Sequence, residues 1–262
     1  MFFFRKMSAA GNDFIVVDER AGDEYDWRPI SVKWLCDRKN GVGADQLLVI
    51  RSSAKADAKM LVYNADGSSA AQCGNGLRAI TKYILNGNNF GLTQLHLETG
   101  HGSIHKCQKL SGEVFMVQLG WPTLYQTPLE NPDPERLKNP LHVSTGNHHL
   151  VLWTDFLKDL DINQLGAKVQ SQYPDGVNVH FVQYVNSGEI CIRHWELGVG
   201  PTLSCGSGTV ASVFAGHQLE ALDNEVLIRT DSQEVYVEKR TDGYYLTGRA
   251  TTVFDGCMRE RP

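Results

Sequence analysis

Short apolar runs separated by turn-forming residues predict that this chain folds mainly as β-strands. The first example is residues 2–18, where two apolar segments flank the turn Ala9-Ala10-Gly11-Asn12. The second of these segments, residues 14–17, is apolar at every position and is expected to be buried. Further strands, some of them joined by turns, are predicted within residues 47–50, 60–63, 95–97, 102–107, 114–119, 141–153, 179–185, 189–195 and 225–254.

Four short segments are predicted to be helices, at residues 30–37, 77–85, 162–169 and 209–215. The second and the fourth each follow a cysteine and two glycines. Many short strands with one main helix in each half are typical of an α+β fold. We therefore predict an α+β protein of two domains, each a mostly antiparallel β-sheet wrapped around a central helix.

The sequence Cys-Gly-x-Gly occurs twice, at residues 73–76 and 205–208, each time before a predicted helix. Two glycines directly after a cysteine let the backbone turn tightly and leave several N–H groups unpaired at the start of the helix. Such a helix end attracts anions and shifts a nearby thiol towards the thiolate. The chain is therefore expected to contain two sites of the same kind.

Other segments repeat in the same order, at offsets of about 132 to 135 residues. The matching landmarks are residues 11–16 with 146–151, 40–43 with 175–178, and Cys73 with Cys205. They predict two copies of one folding unit, with the proline-rich residues 121–140 between them. A pseudo-twofold axis between the copies would direct both cysteine-bearing helix ends at one cleft. The matching positions also make Asn12 and Asn147 candidate functional residues.

Composition argues against several functional classes. The chain has 262 residues, a net charge of −5 and no basic stretch with interleaved aromatic residues, so we expect no nucleic-acid partner. No apolar run approaches the roughly 18 residues of a membrane span, so we expect no membrane partner. The first six residues place three phenylalanines before the charges, which is the reverse of a signal peptide. A cytoplasmic protein is expected.

The six cysteines have neither the Cys-x-x-Cys nor the Cys/His spacing of a zinc site. The sequence therefore predicts no metal site, and in a reducing cytosol we expect reduced thiols. Cys36, Cys107, Cys191 and Cys257 lie among apolar or mixed neighbours, where inert thiols are expected. Cys73 and Cys205 differ from these four in the glycines that follow them.

Three other interpretations of the paired cysteines remain open. Each motif also fits G-x-G-x-x-A, but the preceding residues 66–72 and 198–204 do not resemble the buried strand that a dinucleotide fold requires. A cysteine hydrolase could use Cys205 with His149, which would leave Cys73 without a role. Two glycine-capped helices beside buried cysteines could also be purely structural.

The remaining interpretation uses both thiols. Inversion of a carbon that bears hydrogen needs a base on one face and an acid on the other. Cys73 and Cys205 in a pseudo-symmetric cleft would supply both, one as thiolate and the other as thiol. The α-carboxylate of an amino acid would lie between the two helix ends, whose N–H groups stabilise the charge that develops on proton loss. No pyridoxal cofactor is needed.

These residues resemble the pyridoxal-independent diaminopimelate epimerases and their racemase relatives over nearly the whole chain. The motifs that carry the resemblance, in the family's order, are residues 11–14 (GNDF), 43–46 (GADQ), 64–68 (NADGS), 73–76 (CGNG) and 205–208 (CGSG). The resemblance implies that Cys73 and Cys205 are the acid–base pair. It implies an amino-acid substrate, no cofactor and a homodimer. It also implies domains at residues 1–120, joined by the tail 252–262, and at 121–251.

The resemblance further assigns substrate-binding residues. Gly74, Asn75, Gly206 and Ser207 would hold the reacting carboxylate. His149 and Glu196 would lie near the reacting amine. The other positions implied to contact the substrate are Asn12, Gln46, Asn64, Asn147, Asn178 and, at the far end of the substrate, Leu197.

The chain departs from the family pattern at four places, three of which lie around the implied substrate pocket, and the first of them matters most. Leu197 stands where the family has an arginine that binds the distal carboxylate of diaminopimelate. The other departures are at residues 7–10, 147–149 and 200–202. Binding a carboxylate in a buried site that lacks its cation costs about 2–5 kcal/mol of binding free energy.

The leucine at position 197 leaves two candidate substrates. The resemblance favours epimerisation of LL- to meso-diaminopimelate, with Arg193, Arg249 or His148 as the replacement cation. The alternative is racemisation of another amino acid, histidine first. An isomerase of the same fold that is not a racemase is a further alternative.

Overall fold

The computed structural model describes residues 2–22, 24–87, 91–125, 131–173 and 176–258. The chain forms two compact units, one of residues Met1–Val117 with Gly248–Pro262 and the other of Gln118–Thr247. The domain boundaries predicted at residues 120 and 251 stay a prediction. Pro128, in the proline-rich segment, and Asp175, in the repeat, lie outside the described residues.

The first unit contains two helices and most of its strands before residue 120. Its elements are β1 (Phe2–Ala9), β2 (Asn12–Asp18), α1 (Pro29–Cys36), β3 (Gln46–Arg51), β4 (Ala58–Asn64), β5 (Ser69–Ala70), α2 (Gly74–Leu85), β6 (Gln94–Thr99), β7 (Ile104–Ser111) and β8 (Val114–Gly120), which runs into the second unit.

The second unit also contains two α-helices, and the chain then returns to the first unit in a final strand. Its elements are β9 (Thr123–Leu124), β10 (Lys138–Ser144), β11 (His148–Trp153), a 3-10 helix (Leu157–Asp159), α3 (Ile162–Gln170), β12 (Asn178–Asn186), β13 (Glu189–Glu196), β14 (Gly200–Thr202), α4 (Gly206–Gln218), β15 (Glu225–Arg229), β16 (Glu234–Arg240) and β17 (Gly243–Arg249), followed by β18 (Thr251–Met258) of the first unit.

Helix α2 is the central helix of the first unit. The strands pair in the order β18-β1-β2-β3-β4-β6-β7-β8, with β5 also on β4; the pairs β2–β3 and β4–β6 are parallel and the others antiparallel. Every residue of α2 except Tyr83 is buried, and the helix contacts six of these strands. The prediction of a mostly antiparallel sheet around a central helix is confirmed for this unit.

Strand β3 shows why this sheet is apolar on both faces. Leu47 and Val49 belong to the core that includes Leu35 of α1. The intervening Leu48 lies against α2, where a Cβ at Gly76 would come within 3.2 Å of its methyl groups. Successive strand residues point to opposite faces, so the two helices together require an uninterrupted apolar run.

The second unit repeats this topology. Its strands pair in the order β9-β10-β11-β12-β13-β15-β16-β17, with β14 also on β13; the pairs β11–β12 and β13–β15 are parallel and the others antiparallel. The alternation of directions from β10 to β17 is the same as from β1 to β8. Helix α4 contacts β10, β11, β12 and β16. The repeat predicted from the paired motifs therefore extends to both sheets.

Both central helices begin earlier than predicted. The expected starts were residues 77 and 209, whereas α2 begins at Gly74 and α4 at Gly206. Cys73 and Cys205 have extended backbones and occupy the N-cap positions, so the glycines themselves form the first helical turn. None of the helices in the described ranges is long and apolar enough to cross a membrane.

Candidate active site

Cys73 is the N-cap residue of α2. Its backbone is extended (φ −144°, ψ 110°), and its carbonyl oxygen accepts the first helical hydrogen bond from the Leu77 N–H at 2.8 Å. Its sulfur accepts a hydrogen bond from the Gly76 N–H at 3.3 Å. An N–H donor and the positive end of the helix dipole both favour a thiolate at this position. The residue is partly exposed.

The side chain of Asn75, in the first turn of α2, is held at both of its polar atoms. Its Nδ2 donates to Oδ1 of Asn12 at 2.7 Å, and its Oδ1 accepts from Nη2 of Arg78 at 2.7 Å. Asn12 donates in turn to Asp45 at 3.3 Å. The structure thus joins two predicted substrate-binding residues to Arg78 and Asp45, neither of which was predicted from the sequence.

Arg78 is fully buried beside Cys73. Its Nε and Nη1 have no hydrogen-bond partner among the described residues. Burial lowers the pKa of Arg78 to about 10, and the negative charge of a Cys73 thiolate acts in the opposite direction. A guanidinium with this pKa remains charged at neutral pH, so the first turns of α2 contain a buried cation whose charge interacts with Cys73.

Gln46 and Asn64 form a second pair in the first unit. They face each other across the antiparallel strands β3 and β4, and Gln46 Nε2 donates to Asn64 Oδ1 at 2.9 Å. Asn64 Nδ2 donates to Ser68 Oγ at 3.0 Å. Gln46 Oε1 is buried without a protein partner in the described part of the chain. A buried acceptor of this kind suits a donor group of a ligand.

Cys205 caps α4 with a similar backbone (φ −130°, ψ 103°) but has different neighbours. It is 6% exposed, and its sulfur lies 3.6 Å from Ser207 Oγ. Burial raises the pKa of the Cys205 thiol well above its usual range, and the charge of Glu196 raises it further; Ser207 and the Gly208 N–H act in the opposite direction. The thiol donates to Glu196, so Cys205 keeps its proton.

Three buried histidines on adjacent strands form a hydrogen-bonded chain, which we call the histidine chain. His149 Nδ1 lies 2.8 Å from His180 Nε2, and His180 Nδ1 lies 2.8 Å from His194 Nδ1. The last two residues face each other in the register of β12 and β13. At the other end, His149 Nε2 lies 2.8 Å from Asn147 Oδ1 and 3.0 Å from Thr145 Oγ1.

Asn147 determines which ring nitrogen of each histidine in the histidine chain carries a proton. Its Oδ1 can only accept, so His149 carries its proton on Nε2 and accepts through Nδ1. His180 then donates through Nε2 and accepts through Nδ1, and His194 donates through Nδ1. Burial lowers the pKa of His149 and of His194 to about 3, and that of His180 well below its usual value. All three rings are therefore neutral at physiological pH.

The histidine chain lies against the first turn of α4. The His180 ring fills the space at Gly208, where a Cβ would come within 2.1 Å of Cε1. His149, His180 and Cys205 each present a ligand atom within 4.8 Å of the other two, and they form the group in the described ranges that could hold a metal ion. Sequence spacing predicted no metal site because these ligands come from β11, β12 and the start of α4, which are brought together only by folding.

Asn178 and Leu197 lie together in the second unit. Asn178 Nδ2 donates to the backbone oxygen of His148 at 3.0 Å, and its Oδ1 accepts from the Leu197 N–H at 3.1 Å. The Leu197 side chain lies over Gly176, where a Cβ would come within 2.4 Å of Cδ2. Leu197 occupies the position at which the resemblance implies an arginine. An apolar residue therefore lies beside Asn178, a predicted substrate-binding residue.

Two of the predicted replacement cations have other partners. Arg193 Nε donates to Asp231 at 3.2 Å, and its Nη1 donates to two backbone carbonyl oxygens. His148 Nδ1 lies 3.2 Å from His142 Nε2. Of these two, His148 is the one joined to Asn178 by a hydrogen bond, through its backbone.

The predicted residues divide between the two units. The first contains Asn12, Gln46, Asn64, Cys73, Gly74 and Asn75, and the second Asn147, His149, Asn178, Glu196, Leu197, Cys205, Gly206 and Ser207. Sequence reasoning missed Arg78, His180 and His194. A usable signal was present for His180, since it is a polar residue inside the apolar run Val179-His180-Phe181.

Known proteins resemble the chain along its length. A model of the diaminopimelate epimerase family matches residues 4–124 and 141–253. A diaminopimelate epimerase of Methanothermobacter thermautotrophicus is 34% identical, with 100% of both chains covered. A diaminopimelate epimerase of Carboxydothermus hydrogenoformans is also 34% identical, with 97% of this chain and 98% of that protein covered.

Solved structures show the same fold at lower identity. A hydroxyproline epimerase from Agrobacterium vitis matches with a TM-score of 0.74 and 14% identity, covering 97% of this chain and 91% of that chain. A phenazine biosynthesis protein of the PhzF family from Bacillus anthracis matches with a TM-score of 0.74 and 18% identity, covering 97% and 98%. The predicted α+β fold of two domains is confirmed.

Proposed function

We propose a reaction on the premise that this chain belongs to the diaminopimelate epimerase family and is therefore an amino-acid epimerase, an isomerase. In the proposed reaction, Cys73 and Cys205 invert a Cα–H centre as base and acid. The observation that carries the proposal is the contrast between the two helix caps. The Cys73 sulfur accepts a hydrogen bond from an N–H and interacts with the charge of a buried arginine, whereas the Cys205 thiol keeps its proton and donates a hydrogen bond to Glu196.

This contrast supports a proposed resting state in which Cys73 is the thiolate and Cys205 the thiol. The Cys73 thiolate removes the α-proton from one face of the substrate, and the electron pair of the broken C–H bond stays on the substrate. The Cys205 thiol then delivers its proton to the other face. One turnover leaves Cys73 protonated and Cys205 as thiolate, which is the starting state for the reverse reaction. The proposal requires both sulfurs to reach the same carbon.

The helix ends are proposed to bind the reacting carboxylate. Gly74 and Asn75 lie in the first turn of α2, and Gly206 and Ser207 in the first turn of α4. N–H groups at these positions point out of the helix end and favour negative charge. They would stabilise the carbanion's charge as it spreads onto the carboxylate. Asn12 and Asn147 are also proposed to bind the substrate, next to these helix ends.

Diaminopimelate is the proposed substrate, because the relatives that are 34% identical over the full length are named diaminopimelate epimerases. Its far end is proposed to bind Asn64 and Asn178, with His148 as the cation. Leu197 favours a second candidate, since an apolar side chain beside Asn178 suits a far end without a carboxylate. Histidine is that second candidate.

We further propose that the protein works in the cytoplasm as a homodimer and without a pyridoxal cofactor. The family premise supports all three statements.

Exchange of the α-proton tests the reaction and the substrate together. The reduced protein is incubated in D₂O with LL-diaminopimelate or with L-histidine, and deuterium at Cα is read by NMR and product chirality by chromatography. Exchange with inversion of diaminopimelate is the expected result. Exchange with histidine alone would reassign the substrate, and exchange with neither would overturn the proposal.

Serine variants test the two roles. C73S and C205S should each lower the rate of inversion at least about a thousandfold, because a hydroxyl is a far weaker base and acid than a thiol near neutral pH. C191S, which changes a half-buried cysteine of the second unit, is the matched control and should keep full activity. Retention of activity by C73S or C205S would exclude the two-thiol mechanism.

A further inference from the structure

We propose that Cys205, His149 and His180 form a binding site for a divalent transition-metal ion, Zn²⁺ first, and that the ion switches the enzyme off. The site shares Cys205 with the proposed function, and the inhibition rests on that function, but metal binding can be measured without it. All three residues are buried, and each presents one ligand atom to a common space.

The donor set suits Zn²⁺. The ion binds thiolate and imidazole at about 2.3 and 2.0–2.1 Å, which places the ligand atoms of a tetrahedral site about 3.3–3.6 Å apart. His149 Nδ1 and His180 Nε2 now lie 2.8 Å apart, and the three ligand atoms all lie within 4.8 Å of one another. The two rings must separate by about half an ångström and the sulfur must move in by about one.

Both imidazoles already have the outer partners that orient a metal ligand. The far nitrogen of His149 donates to Asn147, and the far nitrogen of His180 bonds His194. Such outer contacts fix the orientation of a ligating ring and strengthen it as a donor. Because the rings of both His149 and His180 are oriented by such outer hydrogen bonds, the three residues differ from a chance cluster of metal-binding side chains.

The histidine chain supplies the lone pair that the metal needs. The proton between His149 and His180 lies on His180 Nε2, where it would block coordination. On binding, His180 takes its proton on Nδ1 and donates to His194 Nδ1, and the His194 proton moves to Nε2, which has no partner among the described residues. No ring gains or loses a proton overall. Cys205 loses one proton to solvent as its sulfur binds the ion.

The charge of the bound state is balanced locally. One Zn²⁺, one thiolate and two neutral imidazoles carry a net charge of +1. Glu196, which accepts a hydrogen bond from the Cys205 thiol in the metal-free protein, supplies the opposite charge. A buried charge is tolerated when it is paired in this way. A metal-bound thiolate can neither accept nor deliver the α-proton, so the loaded enzyme is inactive.

Cobalt provides a direct readout. The reduced full-length protein is titrated with CoCl₂, and a thiolate-to-cobalt charge-transfer band with tetrahedral ligand-field bands should appear at one ion per chain. ZnCl₂ should then displace the cobalt. C205S should lose the charge-transfer band, whereas C73S and C191S should keep it. H194F should weaken binding by about 10–100-fold, because His180 loses its outer partner.

Activity gives the second readout. ZnCl₂ should stop α-proton exchange in the wild-type protein, and EDTA should restore it. Absence of a charge-transfer band, its persistence in C205S, or its equal loss in C73S and C205S would each overturn the site. Full exchange by the zinc-loaded protein would overturn the inhibition. If instead the metal binds as expected but the metal-free protein exchanges no amino acid, the proposed reaction fails and the site stands.

Discussion

Arg78 carries its charge on a helix that is buried almost all round. It makes one described hydrogen bond, to Asn75, and its remaining buried nitrogens have no partner among the described residues. Burying such a group costs several kcal/mol unless an opposite charge compensates. The Cys73 thiolate is the compensating charge that favours the guanidinium. By reciprocity, Arg78 stabilises the thiolate.

Replacing Arg78 by methionine should therefore shift the chemistry of Cys73. R78M removes the positive charge, so the pH at which Cys73 becomes a thiolate should rise. It also removes the hydrogen bond that Arg78 donates to Asn75. Loss of a hydrogen bond from a charged group costs about 1.5–3 kcal/mol, so kcat/KM should fall roughly ten- to hundredfold.

The rate of Cys73 alkylation by iodoacetamide against pH, read by mass spectrometry, measures the shift. R240M is the matched control, since Arg240 is a partly exposed arginine of the second unit. An alkylation profile unchanged in R78M would show that Arg78 does not act on the thiol.

Side-chain groups whose members are adjacent in sequence could be predicted, whereas groups that form only through the register of paired strands could not. The caps at Cys73 and Cys205 were predictable because the glycines that create them are adjacent in sequence. His180 and His194 lie 14 positions apart and meet only through the antiparallel register of β12 and β13. Arg78 looked like an ordinary helical residue because nothing local signals that its face of α2 is covered. The fold was therefore more predictable than the site.

The junction of β1, β2 and the loop before β3 is held by one carboxylate. Asp13 forms ion pairs with Lys6 at 2.7 Å and with Arg38 at 2.8 Å, and it accepts from the Asp45 N–H at 2.9 Å. Burial by itself would raise the pKa of Asp13, but the hydrogen bonds from Arg38 and Lys6 outweigh it and hold the pKa well below its usual range.

The low pKa of Asp13 makes part of the stability depend on pH. A carboxyl with a depressed folded pKa stabilises the protein above its unfolded pKa of about 3.9, and this contribution is lost as the pH falls below that value. D13N should lower the free energy of unfolding at pH 7 by about 2 kcal/mol. The deficit relative to wild type should shrink at pH 3.

Urea unfolding at the two pH values tests this dependence. D155N is the control, because Asp155 pairs with Lys138 on the exposed surface and should change stability little at either pH. A D13N deficit that is the same at pH 7 and pH 3 would contradict the electrostatic explanation.

At the scale of the whole molecule, the first unit is discontinuous in sequence and the second is not. Strand β1 lies between β2 and β18, and the residue pairs run from Phe2 with Met258 to Ser8 with Thr251. The contact is close, since a Cβ at Gly256 would come within 2.2 Å of the Phe4 ring. The sheet of the first unit therefore needs β18 to cover the outer edge of β1.

Removal of β18 should damage the two units unequally. A chain ending at residue 250 leaves the β1 edge unpaired, whereas the second unit keeps its strands from β9 to β17. Limited proteolysis should cut within residues 2–117 first and leave a fragment spanning about 118–247. The intact chain under the same conditions is the control. Equal resistance of both units in the truncated chain would show that β18 is dispensable.

The same pairing sets an order of events during synthesis. At about 5–20 residues per second, β1 leaves the ribosome roughly ten seconds to most of a minute before β18 can pair with it. The second unit is complete earlier than the first, although it is encoded later. Throughout that interval the edge of β1, with its apolar Phe2 and Phe4, is open to other nascent chains. The speed of translation and the supply of chaperones should therefore affect the yield of this protein.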